Sequence, residues 1–190
     1  MKKGLIAVVA IVVVLVGIGA ILAGYYNSFI TKSQGVDNQW AQVETQYQRR
    51  FDLIPNLVSA TRGTMKQERE VFGAIAEART RYSGAQTPGE QVEAANQMES
   101  ALGRLLVVME NYPQLLSNNT VQQLMAQLEG TENRISVERR RYNDIVRDYN
   151  TSVKRVPGAL FAGIFGFSEK PYFESQEGAE QTPKVDLENE

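Results

Sequence analysis

The chain has 190 residues, 20 of them Lys or Arg and 22 Asp or Glu, with no Cys and no His. Without Cys and His the commonest transition-metal ligands, the thiol nucleophile and the usual general base near neutral pH are missing, so no catalytic, metal or cofactor-binding set is assigned. Catalysis by carboxylates, a Ser–Lys pair or Tyr remains formally open, and a chain without disulfides suits cytoplasm and periplasm equally.

The first element is apolar. Residues 4–24, GLIAVVAIVVVLVGIGAILAG, hold no charged or strongly polar side chain. At about 1.5 Å per residue they match the roughly 30 Å hydrocarbon core of a bilayer. Tyr25 and Tyr26 follow, where interfacial aromatics belong. A cleaved signal peptide is the competing reading, but its apolar region is usually about 7–15 residues, and Ile21-Leu22-Ala23 is a poor small-x-small cleavage site. An uncleaved single-pass anchor is expected, in contact with membrane lipid over residues 4–24. Lys2 and Lys3 precede it and Lys32 alone follows closely. That bias places the amino terminus in the cytoplasm and the body outside. Gly19 with Ala23, and Ala20 with Gly24, set small residues four apart, a spacing that lets two spans approach closely. The plainer reading is that small residues are simply common in such helices.

Beyond the span, residues 27–174 hold 17 basic and 17 acidic residues. A neutral body argues against a nucleic-acid partner, which calls for a basic face. A helical segment is expected from a cap at Asp37 to about Arg81, with apolar residues stepping by three and four through Trp40, Val43, Tyr47, Ile54, Val58, Met65, Phe72, Ile75 and Tyr82. Pro55 interrupts this pattern within RRFDLIPNLV, residues 49–58. An interior proline removes a donor and costs about 3 kcal/mol. The helix is therefore expected to kink or break there, with Arg50 and Asp52 securing the bend, or with Asp52 capping a new helix.

Thr87, Pro88 and Glu90 have the spacing of a capping box with proline in the first turn. They open a second segment whose apolar face runs Val92, Ala95, Met98, Leu102, Leu105, Met109 and Tyr112, closed by Pro113. A third is expected to start at a cap on Asn119. Positions 121, 124, 128, 131, 135, 138, 142, 145, 149, 152 and 156 then alternate strictly by three and four, and eight of those eleven are apolar or Tyr. That is a bundle-forming seam of the coiled-coil type, weakened by Gly130 and carrying Glu138. Three such helices with short connections pack antiparallel to their neighbours.

The next stretch, PGALFAGIFGFSEKPYFES, is too apolar to hang in water. A cap folded back onto the bundle is expected, with contact to a partner or membrane through residues such as Phe161, Phe165 and Phe167 as the functional alternative. Three alternating helices would set this cap far from the anchor's bilayer. The organisation expected is thus an anchor over 1–26, a bundle over 27–156, a capping segment over 157–174 and an acidic, disordered tail over 175–190.

Taken in order, Tyr26-Asn27, RRFDLIPNLV, ENYPQL, LEGTENRI, YNDIVRDYN and LFAGIFGF with YFE after it resemble the LemA family, over residues 25–174. The resemblance implies a membrane-anchored bacterial protein with an all-helical up-and-down bundle, linked with the cell envelope and sometimes with membrane proteases or other membrane modules. The place expected is the bacterial cytoplasmic (inner) membrane, and the resemblance brings no catalytic residue or cofactor with it.

Within the matching stretches, Arg49, Arg50, Phe51, Asp52, Pro55 and Asn56 form one candidate interaction set, since arginine pairs carboxylates bidentately. The blander reading is a helix surface with local pairs. Arg50 falls nearest the seam, and Glu138 is its candidate partner. Glu132 and Asn133 form another set, for which structural roles are favoured. Arg139 to Arg141 point in directions about 100° apart on a helix, so a solvated face is expected rather than a nucleic-acid or lipid patch. Tyr142 and Tyr149 are expected in the core. The favoured function is a non-enzymatic membrane-anchored scaffold or adaptor, bound to itself or to other membrane proteins. A self-assembling, membrane-shaping coat is the alternative, and an enzyme the third.

Overall fold

A computed structural model describes residues 2–173 and is all-α, with no strand among those residues. Six helices follow in order: α1 (Lys2–Arg62), α2 (Arg69–Gly84), α3 (Pro88–Met109), α4 (Pro113–Leu116), α5 (Asn119–Lys154) and α6 (Gly158–Phe165). The expected tail over 175–190 lies outside the described residues. The chain divides into two compact units, residues 1–40 with 139–190, and residues 41–138. Helices α1 and α5 contribute to both.

The unit over 41–138 is an up-and-down bundle of α1, α2, α3 and α5. Directions follow from cross-helix pairs. Phe51 of α1 stacks on Tyr82, near the end of α2, and Gln91 at the start of α3 bonds Glu44 of α1 at 3.0 Å. Tyr112, just past α3, reaches Glu68 at the start of α2, and Glu132 of α5 pairs with Arg50. The core between them includes Val43, Tyr47, Ile54, Leu57, Met98, Leu105, Met109, Val121 and Ile135, all at 2% exposure or less. Each such large apolar side chain contributes roughly 1.5–3 kcal/mol against the conformational entropy of ordering it.

Three sequence expectations are corrected here. First, α1 does not start at a cap on Asp37 but runs from Lys2 through it. Second, α1 is not broken at Pro55: the helix continues to Arg62 with the proline inside it. Asp52 is therefore no cap; it accepts from Gln48 Nε2, one turn earlier, at 3.0 Å. Pro55 withholds one backbone bond, while Phe51, Ile54, Leu57 and Thr61 around it are buried and hold the helix by its core face. The chain reverses at residues 63–68 instead. There the carbonyl of Thr61 accepts from the N–H groups of Thr64 and Met65, both at 3.0 Å, and Met65 is fully buried. Met65 and Phe72 kept the helical step in phase across this turn, so periodicity alone ran straight through it.

Third, α5 is capped one residue earlier than expected. Asn118 Oδ1 accepts from the N–H groups of Thr120 and Val121 at 2.9 and 3.2 Å. Along α5 the seam holds at Val121, Leu128, Thr131, Ile135, Tyr142 and Tyr149, while Val146, Asn150 and Val153 are buried beyond the expected positions. Val156, expected inside, is 75% exposed. Two successive steps of four, 138 to 142 to 146, make this a stutter, which keeps an α-helix of 3.6 residues per turn facing one way.

The start of α3 is as expected. Thr87 Oγ1 accepts from the Glu90 N–H, and the Glu90 carboxylate accepts from the N–H groups of Thr87 and Gln86. Both halves of the capping box are formed, with Pro88 at the first helical position. Ala95, Met98, Leu102, Leu105 and Met109 of the expected face are buried. Pro113 opens the short α4, whose Leu115 is buried.

In the other unit α1 and α5 run antiparallel. Lys32 Nζ donates to the carbonyl of Asp148, and Gly35 faces the Ile145 side chain. The chain then turns through a cis Val156–Pro157 bond into α6. Gly166, at φ 75°, ends α6 in the left-handed conformation that glycine adopts without a Cβ penalty. Residues 167–173 continue as an irregular strap.

Candidate functional site

The aromatic residues of α6 and just past its end form a ring cluster with those of α1. Tyr25 lies 4.8 Å from Phe161, and Tyr26 lies 5.2 Å from Phe165 and 5.9 Å from Phe167, ring centre to ring centre. Phe29, almost completely buried, packs at 5.2 Å on Phe167. Tilted and edge-on pairs of this kind each add about 0.5–1.5 kcal/mol to area burial. The close approach of α6 depends on Gly158. A Cβ there would stand 2.3 Å from the carbonyl oxygen of Ser152.

This arrangement corrects the expectation that the capping segment lies far from the anchor. Tyr25 and Tyr26 directly follow the apolar stretch 4–24, and α6 packs on them. The reversal at 63–68 makes four long helices, α1, α2, α3 and α5, where three were expected.

The strap after α6 is held by a repeated dipeptide. Tyr142-Asn143 and Tyr149-Asn150 stand seven residues apart, two turns of α5. Asn150 donates to the carbonyl of Lys170 at 2.8 Å and accepts its N–H at 2.9 Å. Asn143 does the same for Phe173, at 2.9 and 2.7 Å. The tyrosine hydroxyls donate to the carbonyls of Ser168 (from Tyr149) and Pro171 (from Tyr142). Each asparagine thereby offers the strap the donor and acceptor that a neighbouring strand would supply.

Side chains close the strap from both edges. Lys170 Nζ donates to the Asp37 carboxylate and to the carbonyl of Ser33. Lys154 pairs with Glu169 at 2.8 Å. The Arg139 guanidinium lies 4.5 Å over the Phe173 ring, which also stacks with Trp40. Burial, and then the nearby Asp37 charge, raise the pKa of both Tyr142 and Tyr149, so these hydroxyls stay protonated donors. The tyrosine rings lie in the core, as expected, and their hydroxyls serve the strap.

In the unit over 41–138 the residues of RRFDLIPNLV separate. Arg50 pairs with Glu132, the guanidinium side chain 11% exposed and the carboxylate 36%. This corrects the pairing of Arg50 with Glu138, which lies half-buried almost two turns further along α5. Phe51 is buried with its ring 4.1 Å from that of Tyr82. Burial, then the charge of Glu44, then Tyr47, drive the Tyr82 pKa far upward. Arg49, Asp52, Asn56 and Asn133 are exposed. Pro55 is half-buried and lines, with Ile54, Phe72 and Arg79, an open cleft of about 550 Å³ between α1 and α2. Within the motif Phe51, Ile54 and Leu57 are buried and Arg50 is paired across to α5. Among the described residues no three His, Cys, Asp or Glu side chains are grouped so as to hold a metal.

The strap-holding residues missed by sequence reasoning are Asn143, Asn150 and Lys170, while Asp37, expected as a helix cap, instead accepts from Lys170. The repeat of Tyr-Asn at seven-residue spacing was the available signal. At the other end, Gly19 and Gly24 have nothing within 4 Å of where a Cβ would stand, and the aliphatic side chains from Val8 to Ile21 are exposed.

An all-α bundle whose first helix begins long and apolar enough to cross a membrane, with none of its most apolar 18 residues buried, defines the class. The chain belongs to the LemA family, whose sequence pattern matches residues 39–187. It is similar to two proteins of Paramagnetospirillum magneticum named magnetosome protein MamQ 1 and MamQ 2, each 28% identical over 84% of this chain and 68% of the relative. Magnetosome protein MamQ of Magnetospirillum gryphiswaldense is 27% identical over the same shares.

Proposed function

We propose that this protein is a non-enzymatic, membrane-anchored scaffold or adaptor of the bacterial cell envelope. In this reading residues 4–24 cross the cytoplasmic membrane once, the amino terminus is cytoplasmic and the bundle lies outside. The observation that carries the reading is the contrast within α1. From Val8 to Ile21 its aliphatic side chains are exposed, while from Phe29 onward the same helix buries one face in the protein. Water is a poor solvent for the first part, and a bilayer is the solvent that fits it. The relatives support the reading in that they are named for a cellular body, the magnetosome, and not for a reaction.

Affinity capture of the intact protein from native membranes after crosslinking tests the role. Heterologous membrane proteins recovered in fixed proportion support an adaptor. A large assembly of this chain alone supports the alternative, a self-assembling coat, which the open space beside Gly19 and Gly24 favours through close approach of two spans. An activity abolished by one polar substitution in a folded bundle would overturn both. Orientation has its own test: a reagent confined to the outside should reach the carboxy-terminal residues in intact cells, and protection until permeabilisation reverses the assignment.

A further inference from the structure

Helix α6 has two unlike faces. Gly158 and Ala162 are buried, and Phe161 and Phe165 turn toward the tyrosines of α1. On the other side Leu160 is 66% and Ile164 72% exposed, four residues apart and so on one face, with Val156 at 75% just before them. From Val156 to Phe167 there is no charged or polar side chain. A helix facing water carries polar residues on its outer side; α6 carries none.

Its position names the occupant. Tyr25 and Tyr26, whose rings pack against Phe161 and Phe165 of α6, are the first residues after the apolar stretch, at the level where aromatic side chains meet lipid headgroups. We propose that the outer face of α6 lies in the interface of the same bilayer, with Val156, Leu160 and Ile164 entering the boundary between headgroups and acyl chains. The proposal rests on the anchored reading above. An eight-residue helix would bind lipid weakly if free. Packed on a span that already crosses the bilayer, it meets lipid as an intramolecular event at high effective concentration. Exposed Arg155, beside Val156, is placed for lipid phosphate.

The chain has no cysteine, so single-cysteine variants carry one probe each. The full chain with Leu160→Cys or Ile164→Cys, labelled with an environment-sensitive fluorophore, is reconstituted in phosphatidylethanolamine–phosphatidylglycerol vesicles with or without nitroxide-bearing lipid. Leu15→Cys reports the span. Val107→Cys, an equally exposed apolar position on α3 (64%), reports water. Quenching of about twofold or more at 160 and 164, as at 15 and unlike 107, is the result expected for interfacial burial. Labels at 160 and 164 that behave like 107 while 15 is quenched overturn this inference and leave the anchor intact. An unquenched label at 15 overturns the anchored reading, and this inference with it. Blue-shifted emission at 160 and 164 without lipid quenching assigns the face to protein and also overturns the proposal.

Discussion

At the scale of single residues, the polar groups inside the protein are specific in what they tolerate. Arg50 is nearly buried and depends on Glu132, and its Nε has no partner. Removing the carboxylate alone strands a cation, whereas replacing both partners with apolar residues removes the desolvation cost as well. Glu132→Leu is therefore expected to cost about 2 kcal/mol, scaled down for the part-exposed carboxylate, and Arg50→Met with Glu132→Leu to recover most of it. Urea unfolding of the single and double variants checks this. Asn150, 4% exposed, is similarly placed. Asn150→Ala deletes both bonds to Lys170 and is expected to destabilise the strap by about 1–3 kcal/mol. Hydrogen exchange at the Lys170 amide should accelerate while the amides of α3 keep their protection.

At the scale of elements, α5 and α3 give opposite lessons about substitution. Gly130 sits in the interior of α5 with nothing within 4 Å of where a Cβ would stand. Gly130→Ala should stabilise the protein by about 0.5–1 kcal/mol in thermal or denaturant unfolding, since it restricts the unfolded chain without crowding the folded one. The start of α3 depends on pH instead. The N–H groups of Gln86 and Thr87 hold the Glu90 pKa below its ordinary 4.5. A depressed carboxylate adds stability above its unfolded pKa and loses it as pH falls through the folded one. The stability gap between the parent and Glu90→Gln should thus be constant near neutrality and shrink as pH drops below 4.5. The same elements show what was legible beforehand. The capping box and the α3 face could be read because their chemistry is local, within a turn or two. The reversal at 63–68 could not, because Met65 is buried in a turn and mimics a helical position. The pairing of Arg50 with Glu132 rather than Glu138 depended on the offset between α1 and α5, which no single helix encodes.

At the scale of the whole chain, none of the most apolar 18-residue window of α1 is buried among the described residues. A chain beginning at Tyr25 should therefore keep its helical circular dichroism and melt within a few degrees of the full protein in detergent. A large drop would mean that residues 1–24 support the fold. The division into units has a temporal side too. Residues 41–138 are one continuous stretch, whereas the other unit is assembled from the two ends of the chain. During translation the middle stretch is complete while the strap is still unmade, and domains tend to fold as units in the order they emerge. Tyr142, Asn143, Tyr149 and Asn150 must wait on the ribosome for partners encoded about twenty to thirty codons later. A message cut short in that interval would leave a half-built protein with its tyrosine–asparagine ladder open, its amide and hydroxyl groups without the strap carbonyls they bond in the finished one.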